Sequence, residues 1–144
     1  MTLFTTGYQG ETISYFIKKL QEEKIDAIID IRENPFSRKP GFSGKVLSKK
    51  LTASGVKYYH FQELGTPKPL REDLALKGNY GVFFENYRNY LLEYKDSLDD
   101  LIDIGSNKRI CLMCFEKDPH LCHRKVVAEL LSEYSGKKIT VVHL

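Results

Sequence analysis

Short apolar or β-branched runs alternate with longer segments of helical period along the chain, and no repeat or low-complexity tract interrupts them. Leu3 to Thr6 reads as a strand that Gly7-Tyr8-Gln9-Gly10 ends. Behind Thr12, the residues Ile13, Phe16, Ile17 and Leu20 predict an amphipathic helix running to about Glu23. Asp26 to Ile31 reads as a buried strand closed by Asn34-Pro35. A loop with Pro35, Pro40 and Gly41 then leads to a helix near Ser43 to Ser54, capped by Gly55. Val56 to Phe61 is a third strand, and Gly65, Pro67 and Pro69 predict a loop after it. Tyr80 to Ile104 reads as mostly helical with one break. There Tyr80, Phe83, Phe84, Tyr87, Tyr90 and Tyr94 recur at helical spacing, which predicts a packed face that would also serve a homodimer if larger than one core needs. Arg109 to Phe115 is the most hydrophobic strand. A helix carrying Val126, Val127, Leu130 and Leu131 on one face follows, ended by Gly136, and Ile139 to His143 is a last strand.

Strands separated by helices that cross back over a sheet predict an α/β fold, a three-layer sandwich with a mostly parallel sheet of about five strands. The 144 residues suit one domain over 1–144, long enough to bury roughly two thirds of the unfolded chain's surface without disulfides or a structural metal. Parallel sheets bind ligands beyond the carboxyl ends of their strands. Four segments fall there: Gly7 to Gly10, Asp30 to Pro35 with Ser37 and Arg38, His60 to Gly65, and Cys114 to Arg124.

Charge changes the picture locally. The net formal charge is only +3, but Ile31 to Lys57 carries seven basic residues against the single acid Glu33, while Glu85 to Asp103 is acidic. A solvated face or a nucleic-acid partner accounts for such a basic stretch, and no aromatic-rich RNA motif or helix-turn-helix pattern accompanies it. Three cysteines suit a reducing compartment rather than a disulfide framework. The start lacks a signal-peptide pattern and no apolar run approaches membrane-spanning length, so a cytoplasmic protein with no membrane association is expected.

Several motifs at the strand ends resemble the bacterial and archaeal domain of unknown function 488. They are Thr6-Gly7-Tyr8, Asp30-Ile31-Arg32 with Pro35 and Ser37, Tyr58-Tyr59-His60 with Glu63-Leu64-Gly65, and Cys114-Phe115-Glu116 with Cys122-His123-Arg124. The resemblance spans residues 5 to 130 or so and implies an α/β fold with a site at these motifs, but no agreed reaction.

Chemistry at these positions divides into readings. Cys122-His123-Arg124 opens a helix, where backbone N–H groups and the macrodipole favour an anion and Arg124 would add a planar donor. The opposing reading has Arg124 pairing with Glu116 or Asp30 to hold the loop shut. Asp30-Ile31-Arg32-Glu33 resembles the second-strand signature of rhodaneses, with Cys114 as the thiol. Against that, Glu116 and Asp118 follow it, no glycine does, and carboxylates repel an anion and raise a thiol pKa. Cys111 and Cys114 are three apart on a strand and point to opposite faces, so Cys111 belongs to the core. The types of Cys114, Cys122, His123 and His120 suit zinc, but their spacing matches no common structural site, and a Cys114–Cys122 redox pair competes. No metal or cofactor is assigned.

Carboxylate chemistry fits better. Asp30 and Glu116 are the candidate acid and base, with Cys114 as a further catalytic candidate. Gly7, Tyr8, Arg32, Ser37, His60, Cys122, His123 and Arg124 are the candidate substrate-binding residues, Tyr8 as a ring for stacking. Asp30 and Arg32 also read as an internal ion pair, and His60 as a packing histidine that Glu63 could orient. The expectation is an enzyme with an anion-binding cleft for a phosphorylated, nucleotide-like or nucleic-acid substrate, using hydrolytic or glycosyl-transfer chemistry. A noncatalytic nucleic-acid-binding module and a rhodanese-like thiol or redox protein are the alternatives.

Overall fold

The computed structural model describes residues 1–136 and 138–144. Five strands, β1 (Thr2–Gly7), β2 (Ala27–Asp30), β3 (Lys57–His60), β4 (Ile110–Cys114) and β5 (Thr140–His143), form one sheet in the order β3-β2-β4-β1-β5. Every pairing is parallel. The central strands β2 and β4 are buried along their whole length because helices cover both faces, which explains their unbroken apolar runs.

Alternation along the strands divides the core in two. Phe4, Ile28, Cys111 and Met113 meet Phe16 and Leu20 of α1 (Ile13–Glu22) and Leu47 and Leu51 of α2 (Gly44–Ala53). Leu3, Ile29 and Leu112 turn to the other face, against α4 (Tyr80–Leu91), α5 (Lys95–Gly105) and α6 (Arg124–Ser135). Burial of Phe16 and Leu20 contributes about 1.5–3 kcal/mol each, which anchors α1, and Thr12 accepts from the Tyr15 N–H at its start. Most of the aromatic series is a packed face as expected, with Phe83 and Tyr87 buried and Phe84, Tyr90 and Tyr94 against that core, but Tyr80, at the first turn of α4, stands exposed on a cleft instead. The break between α4 and α5 falls at residues 92–94.

One element departs from expectation. The loop expected around Pro67 and Pro69 leads at once into α3 (Lys68–Lys77), with Pro67 at the N-cap and Pro69 in the first turn. Proline is tolerated there because those N–H groups have no intrahelical partner. No residue of α3 is buried, so it carries no apolar period for the sequence to reveal.

The topology also fixes where a ligand fits. From β1 and β2 the chain moves toward the β3 edge through α1 and α2 on one face, whereas from β4 it moves to β5 through α6 on the other. The carboxyl end of β4, flanked by β1 and β2, is therefore the switch point where a crevice opens. Among the described residues, no helix is long and apolar enough to cross a membrane.

Candidate functional site

At the end of β2, Asp30 has no exposed surface and is enclosed by donors. Arg32 grips it in bidentate fashion, Nε to Oδ1 at 2.9 Å and Nη2 to Oδ2 at 2.8 Å, and Tyr58 Oη donates to Oδ2 at 2.6 Å. The Arg32 backbone N–H adds a bond of 3.1 Å to Oδ1. Burial works against the Arg32 guanidinium, but Asp30, helped by Tyr8, more than offsets it and raises its pKa above the ordinary value. Burial and Asp30 likewise raise the Tyr58 phenol. This is the geometry of the internal ion pair. It makes Arg32 a rigid guanidinium, and Arg32 Nη1 reaches on to donate to Tyr8 Oη at 3.1 Å.

Arg32 and Tyr8 stand at the floor of a cleft of about 730 Å³, the size of small-molecule sites. Ser37 lines it too, held by Ser43, and so do Glu116, Asp118 and His123. Phe36, Tyr80 and Phe115 supply exposed aromatic surface to its walls. Tyr8 is itself nearly buried, stacked on Phe42 with centroids 4.4 Å apart, so that face of its ring is covered. Arg71 of α3 reaches the cleft, pairing with Glu33 at 3.0 Å and donating to the Thr66 carbonyl.

Gly7 acts by close approach. A Cβ there would lie 1.7 Å from the Glu116 carbonyl oxygen, so glycine lets the loop after β4 pack onto the end of β1. Tyr8 and Gln9 N–H groups then donate to the carbonyls of Cys114 and Phe115, extending the strand pairing into the site. His60 lies outside the cleft, its Nε2 2.7 Å from the Arg32 carbonyl, in a shallower depression with Lys45, Ser48 and Lys49. Glu63 accepts from Ser97 at 2.7 Å, so its carboxylate is engaged elsewhere.

Between β4 and α6 the chain closes on itself. Arg124 is only 1% exposed and donates through Nη2 to the carbonyls of Glu116 at 2.9 Å and Lys117 at 3.1 Å. The loop is held shut as one reading expected, through backbone carbonyls rather than a carboxylate, and burial lowers the pKa of this guanidinium. Carbonyls turned inward are the opposite of the N–H cradle that thiol transferases wrap around an anion. At the start of α6, the Lys125 and Val126 N–H groups donate to the carbonyls of Cys122 and His123, so the second and third helical donors are engaged.

Cys114 and Cys122 are buried with their sulfurs in contact, while Cys111 is free in the core, where burial pushes its thiol up to about 12. His123 follows with Nδ1 3.5 Å from Cys122 Sγ and Nε2 2.8 Å from the Ile31 carbonyl. Burial holds its pKa below the usual histidine range, against the raising effect of that carbonyl. His120 is exposed and stands apart, its ring 6.4 Å from that of His143.

The fold and site define a parallel α/β protein with an aromatic-walled, carboxylate-bearing cleft at the switch point of its sheet. Within that class the chain belongs to a family: the model for Domain of unknown function DUF488 matches residues 12–131. Thr6-Gly7-Tyr8 lies just ahead of the matched span and joins the site through space. No curated protein and no solved structure matches the chain.

Sequence reasoning missed Phe36, Arg71, Tyr80 and Asp118 as cleft residues. Phe36, apolar between Pro35 and Ser37 in a polar loop, carried a usable signal. Arg71 did not, since its helix was read as a loop.

Proposed function

We propose that the cleft binds a nucleotide-like small molecule and that Glu116 serves as the acid–base group of a hydrolytic or glycosyl-transfer reaction. The observation that carries this reading is the convergence of Glu116 and Asp118 with Arg32, Arg71 and three exposed rings on one cleft. Phe36, Tyr80 and Phe115 offer faces to a planar base. Arg71, held through Nη2 by Glu33 and through Nη1 by the Thr66 carbonyl, keeps further N–H donors for a phosphate. Asp30 serves this site indirectly by fixing the Arg32 plane, and Arg124 and Gly7 by fixing the loop that carries Glu116. Two carboxylates near one another can split into acid and base roles.

Calorimetric titration of the wild type with mononucleotides, sugar phosphates and short single-stranded DNA tests the reading. A mononucleotide should bind, Phe36→Ala should weaken it by about tenfold, corresponding to about 1.4 kcal/mol, and Glu116→Gln should bind but not turn over. Binding of none of these to the wild type overturns it.

A second reading has one specific observation in its favour: α2 exposes Lys45, Lys49 and Lys50, and a shallow depression lies beside them. If this face holds a nucleic-acid backbone, affinity should fall steeply with salt and vanish when the three lysines are replaced.

A further inference from the structure

Beside the cleft, Cys114, Glu116, Cys122 and His123 bring one ligand atom each to within 4.8 Å of one another. We propose that Cys114, Cys122 and His123 bind a zinc-class divalent ion, with the fourth coordination position open toward the cleft next to Glu116. Three observations support the site independently.

The first is the histidine's tautomer. The Ile31 carbonyl can only accept, so His123 Nε2 carries the proton and Nδ1 presents its lone pair toward Cys122 Sγ, 3.5 Å away. An outer hydrogen bond of this kind is what orients metal-binding imidazoles. The 3.5 Å separation also matches the edge, about 3.5 Å, of a tetrahedron with Zn–S near 2.3 Å and Zn–N near 2.0 Å.

The second is the backbone. The Cα atoms of Cys114 and Cys122 stand 7.6 Å apart, beyond the roughly 4.4–6.8 Å that disulfides usually span. The sulfurs themselves are in contact here, so the ion would bind the reduced pair, whose sulfurs part to the roughly 3.8 Å edge of a Zn–S tetrahedron, and the wide backbone spacing allows that. The third is charge. Arg124 is buried with its Nε lacking a hydrogen-bond partner, and its bonds go to carbonyls. Glu116 and Asp118 lend this cation charge without bonding to it, two thiolates in the same loop would add more, and two thiolates with an imidazole select zinc over magnesium or calcium.

Binding ionises two thiols, so each ion taken up releases about two protons. A water in the open position would be acidified by the ion, with Glu116 placed to accept its proton. That use of the site rests on the cleft reading; the ion binding does not.

The test is a titration of reduced, chelator-stripped wild-type protein with Co2+, followed by Zn2+. One equivalent of Co2+ should release about two protons and produce the absorption of tetrahedral cobalt with sulfur-to-metal charge transfer, and Zn2+ should abolish that absorption with no further proton release. Cys111→Ala should retain the signal, because that thiol sits in the core on the α1 and α2 side. Cys122→Ser should weaken the charge-transfer band and lower affinity by more than the 10- to 100-fold or so that loss of an outer-shell partner costs. No charge transfer in the reduced wild type, or its survival at full strength in Cys122→Ser, overturns the proposal. Ion binding is read by spectroscopy alone, so it stands or falls separately from nucleotide binding.

Discussion

A single residue shows how burial assigns a role. Asp30 meets two donors of the Arg32 guanidinium, the Arg32 N–H and the Tyr58 hydroxyl, with no surface left for a ligand. Removing it would leave the Arg32 charge, itself nearly buried, without compensation. Asp30→Ala should therefore destabilise the protein by about 3–5 kcal/mol, read as a lower midpoint in urea denaturation. A loss below about 1 kcal/mol, the range of exposed ion pairs, would mean that water reaches the pair in solution. Both readings of Asp30 and Arg32 were legible in the sequence, because the partners are two residues apart. The choice between them was not, since it turns on Tyr58 and Tyr8, which only the folded chain brings near.

Elements differ in how firmly they are held. The helices α1 and α6 are anchored by buried side chains, six of them in α6, whereas α3 buries none and is fixed at its edge by the bonds of Arg71 to Thr66 and Glu33. Amide hydrogen exchange should accordingly be fastest in α3 among the helices and slowest in α6, because local opening of α3 exposes little apolar surface. Equal protection of the two would refute this ranking. The same contrast explains what the sequence disclosed: α1, α4 and α6 announce themselves through apolar periodicity, while α3 is polar around most of its circumference and opens with prolines. A helix that packs lightly leaves a light trace in the hydrophobic pattern, yet this one carries Arg71 to the cleft.

For the whole molecule, buried protons set the alkaline limit. Burial raises Cys111 from 9.0 to about 12, and raises Tyr58 and Tyr87 above their ordinary 10.0. The folded chain holds these protons more tightly than the unfolded chain does. Their contribution is thus complete below pH 9 or so and is lost as pH climbs through the gap between unfolded and folded values. Tm should fall progressively from pH 9 to 11, and Tyr58→Phe should show a shallower fall; a flat profile would refute the linkage. At this scale the sequence alone determined the succession of the strands and of every α-helix but α3, and the parallel α/β architecture, because local periodicity and the need to cover both faces of a sheet leave few arrangements. It also placed the candidate site residues at the strand ends. Only the tertiary structure decided which groups come together there: Gly7 with the Glu116 carbonyl, His123 with the Ile31 carbonyl 92 residues away, and Phe36 and Tyr80 on the walls of one cleft. Periodicity reports which face of an element is buried, whereas contacts between distant loops depend on how the crossovers set those loops against one another, and no local pattern encodes that.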